Sequence, residues 1–303
     1  MADSKIEGSV SSHYDAAADQ YHEQYQREKL YDLAREYPAN YFRLQLLINS
    51  FLTKGIKRVM EIGVGEGTPL ATLGKAGIDV WGFDIAHEMV KKSKGTMQAQ
   101  GMNPDHIFWG DVQDPNTYVH ALKDGLFDGL MAMGVMPHVH NDDMVIKNMA
   151  SMVRPGGSVF VEFRNKLFAL STFNRYTVEF VLNDLLRDVH PELKALVAKD
   201  LNSRLRVDMP PRRETIDGSD APGYDAIPSK FHNPFEVVES FRQHGFEDVQ
   251  LLWYHYHPVM PYVADQSPEL VRKEGIRLEH ESSNWRGYFL ASAFVVEAVK
   301  KGR

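Results

Sequence analysis

The chain of 303 residues contains no cysteine. That excludes disulfides, thiolate zinc sites, iron–sulfur clusters and a cysteine nucleophile. A positive excess is missing as well: 34 Lys and Arg stand against 41 Asp and Glu, a formal net charge of −7. Such a balance gives no general attraction to nucleic acid or to anionic membrane, so neither is expected as a partner. No apolar run approaches the roughly 20 residues needed to cross a bilayer. The opening residues Met1-Ala2-Asp3-Ser4-Lys5 lack the apolar stretch of a secretory signal. Together these absences read as a soluble, cytoplasmic protein. Repeats and low-complexity tracts are also missing. The remaining composition, 43% hydrophobic and 25% charged, is that of an ordinary globular enzyme with room for one large core.

Between about residues 56 and 163, short apolar runs alternate with helical periodicity. Strands are expected at Lys57 to Ile62, Asp79 to Asp84, His106 to Gly110, Phe127 to Met133 and Ser158 to Phe163. Helices are expected at Pro69 to Ala76, His87 to Gln100 and Asp143 to Val153, with Pro155-Gly156-Gly157 as the turn before the fifth strand. Such alternation predicts a parallel sheet covered on both faces, with ligands held beyond the carboxyl ends of the strands. Residues 1–12 read as disordered. His13 to about Leu52 reads as helical in two pieces broken at Pro38, the first rich in tyrosine and the second apolar. Arg164 to Lys230 reads as an inserted cap, with an amphipathic helix marked by Val178, Val181, Leu182, Leu185 and Leu186 and then a loop rich in Pro, Arg, Asp and Gly. Asn233 to Gly245 reads as a helix, and Glu247 to Tyr256 and Tyr288 to Val299 as the last two strands, antiparallel to each other. The expected organisation is therefore a helical lid segment (1–52), a core (53–163), a helical cap (164–230) and the rest of the core sheet (231–303).

The most informative stretch is Glu61-Ile62-Gly63-Val64-Gly65-Glu66-Gly67, at the end of the first strand. Glycine suits places where backbone approaches a ligand closely or adopts dihedrals closed to other residues. The second strand ends in Asp84, placed to accept hydrogen bonds from ribose hydroxyls. A nucleotide-dependent dehydrogenase would want G-x-G-x-x-G with the helix opening at once. Here Glu66-Gly67-Thr68-Pro69 spaces the glycines differently, and Glu61 would repel a pyrophosphate. An acid there suits a cationic sulfonium ligand carrying an ammonium group.

The pattern E-x-G-x-G-x-G followed by a strand-end acid resembles class I S-adenosylmethionine (SAM) methyltransferases of the small-molecule type. The resemblance covers residues 13–163 well and 231–299 more loosely. It implies an α/β, Rossmann-like, doubly wound sheet of seven mixed strands with an antiparallel last strand. It also implies SAM as cofactor and S-adenosylhomocysteine (SAH) as product. By resemblance, Glu61, Gly63, Gly65 and Gly67 hold the methionyl end, Asp84 the ribose, and Ile85 the adenine. Asp111 and Val112 then lie near the adenine amino group, and the backbone of Met133 and Gly134 touches the cofactor. Tyr14-Asp15-Ala16-Ala17-Ala18-Asp19-Gln20-Tyr21 looks like a helix that closes over SAM in such enzymes, making Tyr14 and Tyr21 lid candidates. Aromatic packing under the first helix is the other reading of these tyrosines.

Methyl transfer is an in-line displacement that gains most from alignment in a dry site. An oxygen acceptor also needs a base to take its proton, and histidine is suited to that role. His138 follows the fourth strand, His232 opens the element after the cap, and His257 ends the sixth strand, so these three are the candidate bases. Two His-x-His pairs, His138/His140 and His255/His257, raise a metal alternative, but no fixed-spacing ligand signature accompanies them and no metal is expected. Arg164, Asn165, Arg175, Tyr176 and Lys230 are candidate acceptor-binding residues, the basic ones suited to an anionic group. The resemblance thus implies methylation of a small-molecule hydroxyl, such as a sugar, glycan precursor or natural product. An amine acceptor, a protein or nucleic-acid substrate, and a non-catalytic SAM-fold subunit remain as alternatives. The oligomeric state is open, a homodimer included.

Overall fold

The computed structural model describes residues 10, 12–14, 25, 27, 30–205, 208–209, 211–216, 220–223 and 225–302. Seven strands form one mixed sheet: β1 (Arg58–Ile62), β2 (Asp79–Asp84), β3 (Ile107–Trp109), β4 (Phe127–Ala132), β5 (Val153–Arg164), β6 (Phe246–Tyr256) and β7 (Ala291–Lys300). Their order across the sheet is β3-β2-β1-β4-β5-β7-β6. The pairs from β3 to β5 are parallel, whereas β7 runs antiparallel to both β5 and β6. The chain winds outward from β1 to β3, then returns to place β4 on the other side of β1. That reversal opens a crevice above the carboxyl ends of β1 and β4, where a ligand can enter.

Both sheet faces are buried, which explains the near-continuous apolar runs of the strands. Residues of β5 alternate between two cores: Val159, Val161 and Phe163 pack on one face and Phe160 on the other. Helices α1 (Ala39–Lys54), α2 (Thr68–Lys75) and α3 (His87–Ala99) cover the Phe160 face, inserting Leu47, Phe51, Leu70, Leu73, Val90 and Met97. On the opposite face, α4 (Asp142–Met152) contributes Val145, Ile146, Met149 and Met152. Cap residues 164–230 hold a short helix α5 (Arg175–Phe180), continued by a wider turn at Val181–Leu185, and the exposed α6 (Pro191–Arg204). Helix α7 (Pro234–Gln243) packs Val237 and Phe241 on the α4 side, and α8 (Pro268–Leu278) lies between β6 and β7. No helix among the described residues is long and apolar enough to cross a membrane.

Several boundaries depart from expectation for identifiable reasons. β5 begins at Val153 because Pro155-Gly156-Gly157 is absorbed as a register shift inside the β4–β5 ladder. Tyr288 to Leu290, expected as strand, belong to the helical turn Gly287–Leu290, whose carbonyls at Gly287 and Tyr288 accept from the Asn165 side-chain amide. Helices α6 and α8 are additional to the expected elements. Leu30 to Pro38, expected as helix, forms turns up to the start of α1. Val10, assigned to a disordered segment, is instead buried and helical. Residues 1–9 and 15–24, Tyr21 among them, lie outside the described residues.

Candidate active site

The glycine loop after β1 is held by backbone geometry that a side chain would spoil. Gly63 has φ +70°, and a Cβ there would lie 2.6 Å from Val135 Cγ2. Its N–H, like that of Val64, bonds to the Phe83 carbonyl. Asp84 ends β2 and organises the loop from the other side: Oδ2 accepts from Gly65 N–H at 2.9 Å and Oδ1 from Ala86 N–H at 2.9 Å. A cleft forms over these elements, lined by Tyr14, Gly63, Gly65, Asp84, Ile85, Asp111, Val112, Met133, Gly134 and His138 among others. The structure thus brings most of the expected cofactor residues to one place. Glu61 and Gly67 do not line the cleft: Glu61 is buried at the end of β1, and Gly67 caps the start of α2.

Glu61 is only 2% exposed, and its Oε2 has no hydrogen-bond partner among the described residues. Burial pushes its carboxyl well above the usual range, the nearby Arg43 cation offsetting this and Glu66 adding to it. An orphaned carboxylate oxygen under a glycine loop matches a ligand that brings positive charge. The donor set of the cleft therefore fits SAM: the acid Asp84, apolar Ile85 and Val112, and backbone at Met133 and Gly134, with Glu61 buried nearby at the end of β1.

His138 stands on the turn Met136–His138 after β4. Its Nδ1 lies 2.6 Å from the Pro228 carbonyl, which can only accept, so Nδ1 carries the proton and Nε2 offers a lone pair. That lone pair meets the Tyr14 hydroxyl at 2.8 Å. Burial lowers the His138 pKa to about 4, with the Arg164 cation contributing. Tyr14 lines both this cleft and a second cavity of about 1010 Å³. Asn40, Arg43 and Gly134 are likewise shared, so the two spaces meet at Tyr14, whose hydroxyl contacts His138 on the cleft side.

Sequence reasoning missed the charged pair between the two spaces. Arg43 Nη1 donates to Glu162 Oε2 at 2.5 Å, with both residues buried and Tyr254 bonded alongside. The available signals were an arginine within the apolar Phe42-Arg43-Leu44 face and a glutamate inside Val159-Phe160-Val161-Glu162-Phe163. A charge in such a place requires a partner.

The remaining candidates divide. Arg164, at the end of β5, lines the large cavity, donates to Ser229 Oγ at 2.5 Å and lies over the Phe231 ring; burial lowers its pKa to about 10. Tyr176 also lines it, with its ring against Phe231. His257 lines it too, its Nε2 3.2 Å from Ser292 Oγ, and burial drives its pKa well below the ordinary value. Asn165 is 1% exposed, and its amide nitrogen reaches the carbonyls of Gly287, Tyr288 and Ala291, which pins the strand ends together. Arg175, Lys230 and His232 line neither space. Arg175 is engaged by Asp208, and Lys230 and His232 both by Asp142 at the start of α4.

A family model described as a methyltransferase domain matches residues 33–251. The chain therefore belongs to that family, with the fold of class I SAM-dependent methyltransferases. It is similar to a ubiquinone biosynthesis O-methyltransferase of Coxiella burnetii, 27% identical over 151 residues covering 50% of this chain and 62% of the relative. The chain thus spans less than two thirds of that relative's length. A protein of the same description from an Azoarcus species is 26% identical over 190 residues, 59% of this chain and 79% of its own. Among solved structures, the magnesium protoporphyrin IX methyltransferase of Synechocystis PCC 6803 with bound SAH shares the fold at TM-score 0.53. It is 12% identical, over 98% of this chain and 100% of its own.

Proposed function

We propose that this protein transfers a methyl group from SAM to a hydroxyl oxygen of a small molecule held in the large cavity, with His138 as the base. The observation that carries the reading is the Tyr14–His138 contact where the two spaces meet. The curated relatives named as O-methyltransferases support oxygen as the acceptor atom.

SAM supplies an electrophilic methyl carbon on a sulfonium. The residues of this chain supply position and a proton sink. Pro228 fixes the His138 tautomer so that Nε2 faces the junction. The Tyr14 hydroxyl occupies the position against Nε2 that an acceptor hydroxyl would take. An acceptor hydroxyl in that position would give its proton to His138 Nε2, leaving its oxygen to take the methyl group that SAM would supply. A depressed pKa keeps His138 unprotonated at neutral pH, so Nε2 can act as a base once an acceptor hydroxyl displaces that of Tyr14. Tyr14 closes the junction against water.

Incubating the protein with SAM and panels of phenols, sugars and amines, with mass spectrometry for a one-methyl gain, tests this reading. Methylated hydroxyl products that vanish in His138→Ala are expected. Methylation of amines alone, or full activity in His138→Ala, would contradict it.

A further inference from the structure

Residues 228–232, where the chain leaves the cap, form a strap between the end of β5 and the turn that carries His138. Backbone bonds seat it on both. Lys230 N–H donates to the Pro137 carbonyl at 2.9 Å, His232 N–H to the Arg164 carbonyl at 2.8 Å, and Lys166 N–H to the His232 carbonyl at 2.9 Å. His232 also pairs with Asn165 as a parallel neighbour, so the chain here is extended. An extended chain sends alternate side chains to opposite sides. Phe231 accordingly lines the large cavity, with the Tyr176 ring and the Arg164 guanidinium against it. Lys230 and His232 turn instead to the start of α4.

Asp142, the first residue of α4, takes both of them. Its Oδ1 accepts from Lys230 Nζ at 2.5 Å, and its Oδ2 lies 3.2 Å from His232 Nε2. An ionised carboxylate can only accept, so Nε2 carries the His232 proton. His232 is 7% exposed and its Nδ1 has no partner among the described residues, which leaves Asp142 to hold this ring. Although burial opposes it, bonding to His232 and Lys230 keeps the Asp142 carboxyl below its usual range. The first turn of a helix favours the same negative charge.

At its other end the strap meets His138. The Pro228 carbonyl accepts from His138 Nδ1 at 2.6 Å, and Ser229 Oγ accepts from Arg164 Nη1 at 2.5 Å. The turn Met136–His138 leads directly into α4. One short stretch of chain therefore grips the strap at three points: the Pro137 carbonyl, the His138 ring and the Asp142 carboxylate. Resting on the assignment of His138 as base, we propose that Asp142 is a positioning residue for it. By clasping Lys230 and His232, Asp142 seats the strap so that the Pro228 carbonyl keeps the proton on His138 Nδ1 and leaves Nε2 facing the acceptor position. Phe231, on the same strap, makes one segment serve both the cavity wall and the base.

The test is a long-range proton–nitrogen NMR spectrum of the full chain carrying isotope-labelled histidine, at neutral pH. The His138 signals are assigned by their loss in His138→Gln. The parent is expected to hold the His138 proton on Nδ1. Asp142→Asn keeps the side-chain shape without the charge, and the ratio of Nδ1–H to Nε2–H forms should fall about fivefold, the weight of one hydrogen bond. Lys230→Met opens half of the clasp and should lower the ratio by less. Asp143→Asn removes the neighbouring charge, which faces Ser240 and His244 instead, and should leave the ratio at the parent value. Circular dichroism establishes that each variant is folded. A folded Asp142→Asn with the parent ratio overturns the proposal; if that variant does not fold, the parent ratio in Lys230→Met overturns it. An equal fall in Asp143→Asn also overturns it, because helix charge and not the clasp would then be responsible. A parent His138 protonated on Nε2 would overturn the base assignment itself, and the proposal with it.

Discussion

Replacing Arg43 by Met isolates the charge pair that separates the two spaces. Arg43 is 8% exposed and Glu162 7%, and they meet at 2.5 Å. Methionine fills similar volume without charge, so the Glu162 carboxylate is left buried beside Tyr254. Removing one member of a buried pair costs roughly 3–5 kcal/mol, because the remaining ion is desolvated without compensation. At roughly 2 °C per kcal/mol for a chain of this length, the midpoint of thermal unfolding should fall by about 6–10 °C. Glu162→Gln introduced alongside removes the stranded charge, and the double variant should recover more than half of the loss. Circular dichroism melts of the parent, both singles and the double close the cycle. A melt for Arg43→Met within about 2 °C of the parent would refute the reasoning, as would a double variant no more stable than Arg43→Met.

Three further outcomes follow from the same geometry. Asp84→Ala removes the acceptor for Gly65 and Ala86 and should weaken SAH binding at least about a hundredfold by calorimetry, each charge-assisted bond being worth roughly 1.5–3 kcal/mol. Because the folded protein lowers the His138 pKa to about 4 from 6.5, the acid limb of kcat/KM should appear near pH 4. The stability linked to neutral His138 is present above pH 6.5 and lost as pH falls through about 4; a limb at 6.5 would mean that the imidazole is not buried. Glu279 behaves oppositely, since burial raises its carboxyl from 4.5 to about 7. Its stabilising share is full below pH 4.5 and lost as pH rises through about 7, on the order of 3 kcal/mol. Melting curves between pH 5 and 8 should therefore show the parent falling relative to Glu279→Gln.

The sheet was legible because its strands carry period-independent apolar runs punctuated by glycine and proline, and β2 was delimited to the residue. The cofactor cleft was legible because its residues follow strand ends directly, where chain order fixes spatial order. Long-range pairing was not legible. Arg43 and Glu162 are 119 residues apart, and His138 and Pro228 are 90 apart, so no local pattern connects them. The positive φ of His255 was not legible either, since it belongs to a β6 end bonded to Glu279 from another element. Lys230 and Arg175 looked available for an anion, yet Asp142 and Asp208 engage them. Helix α6 eluded periodicity because it has no buried face to produce any.

The most direct measurement is calorimetric titration of the purified protein with SAH, with NAD as the control. The account predicts one-to-one binding of SAH and none of NAD, since the glycine spacing differs from the G-x-G-x-x-G that a dinucleotide pyrophosphate needs. Binding of NAD, or no heat with SAH, would contradict it.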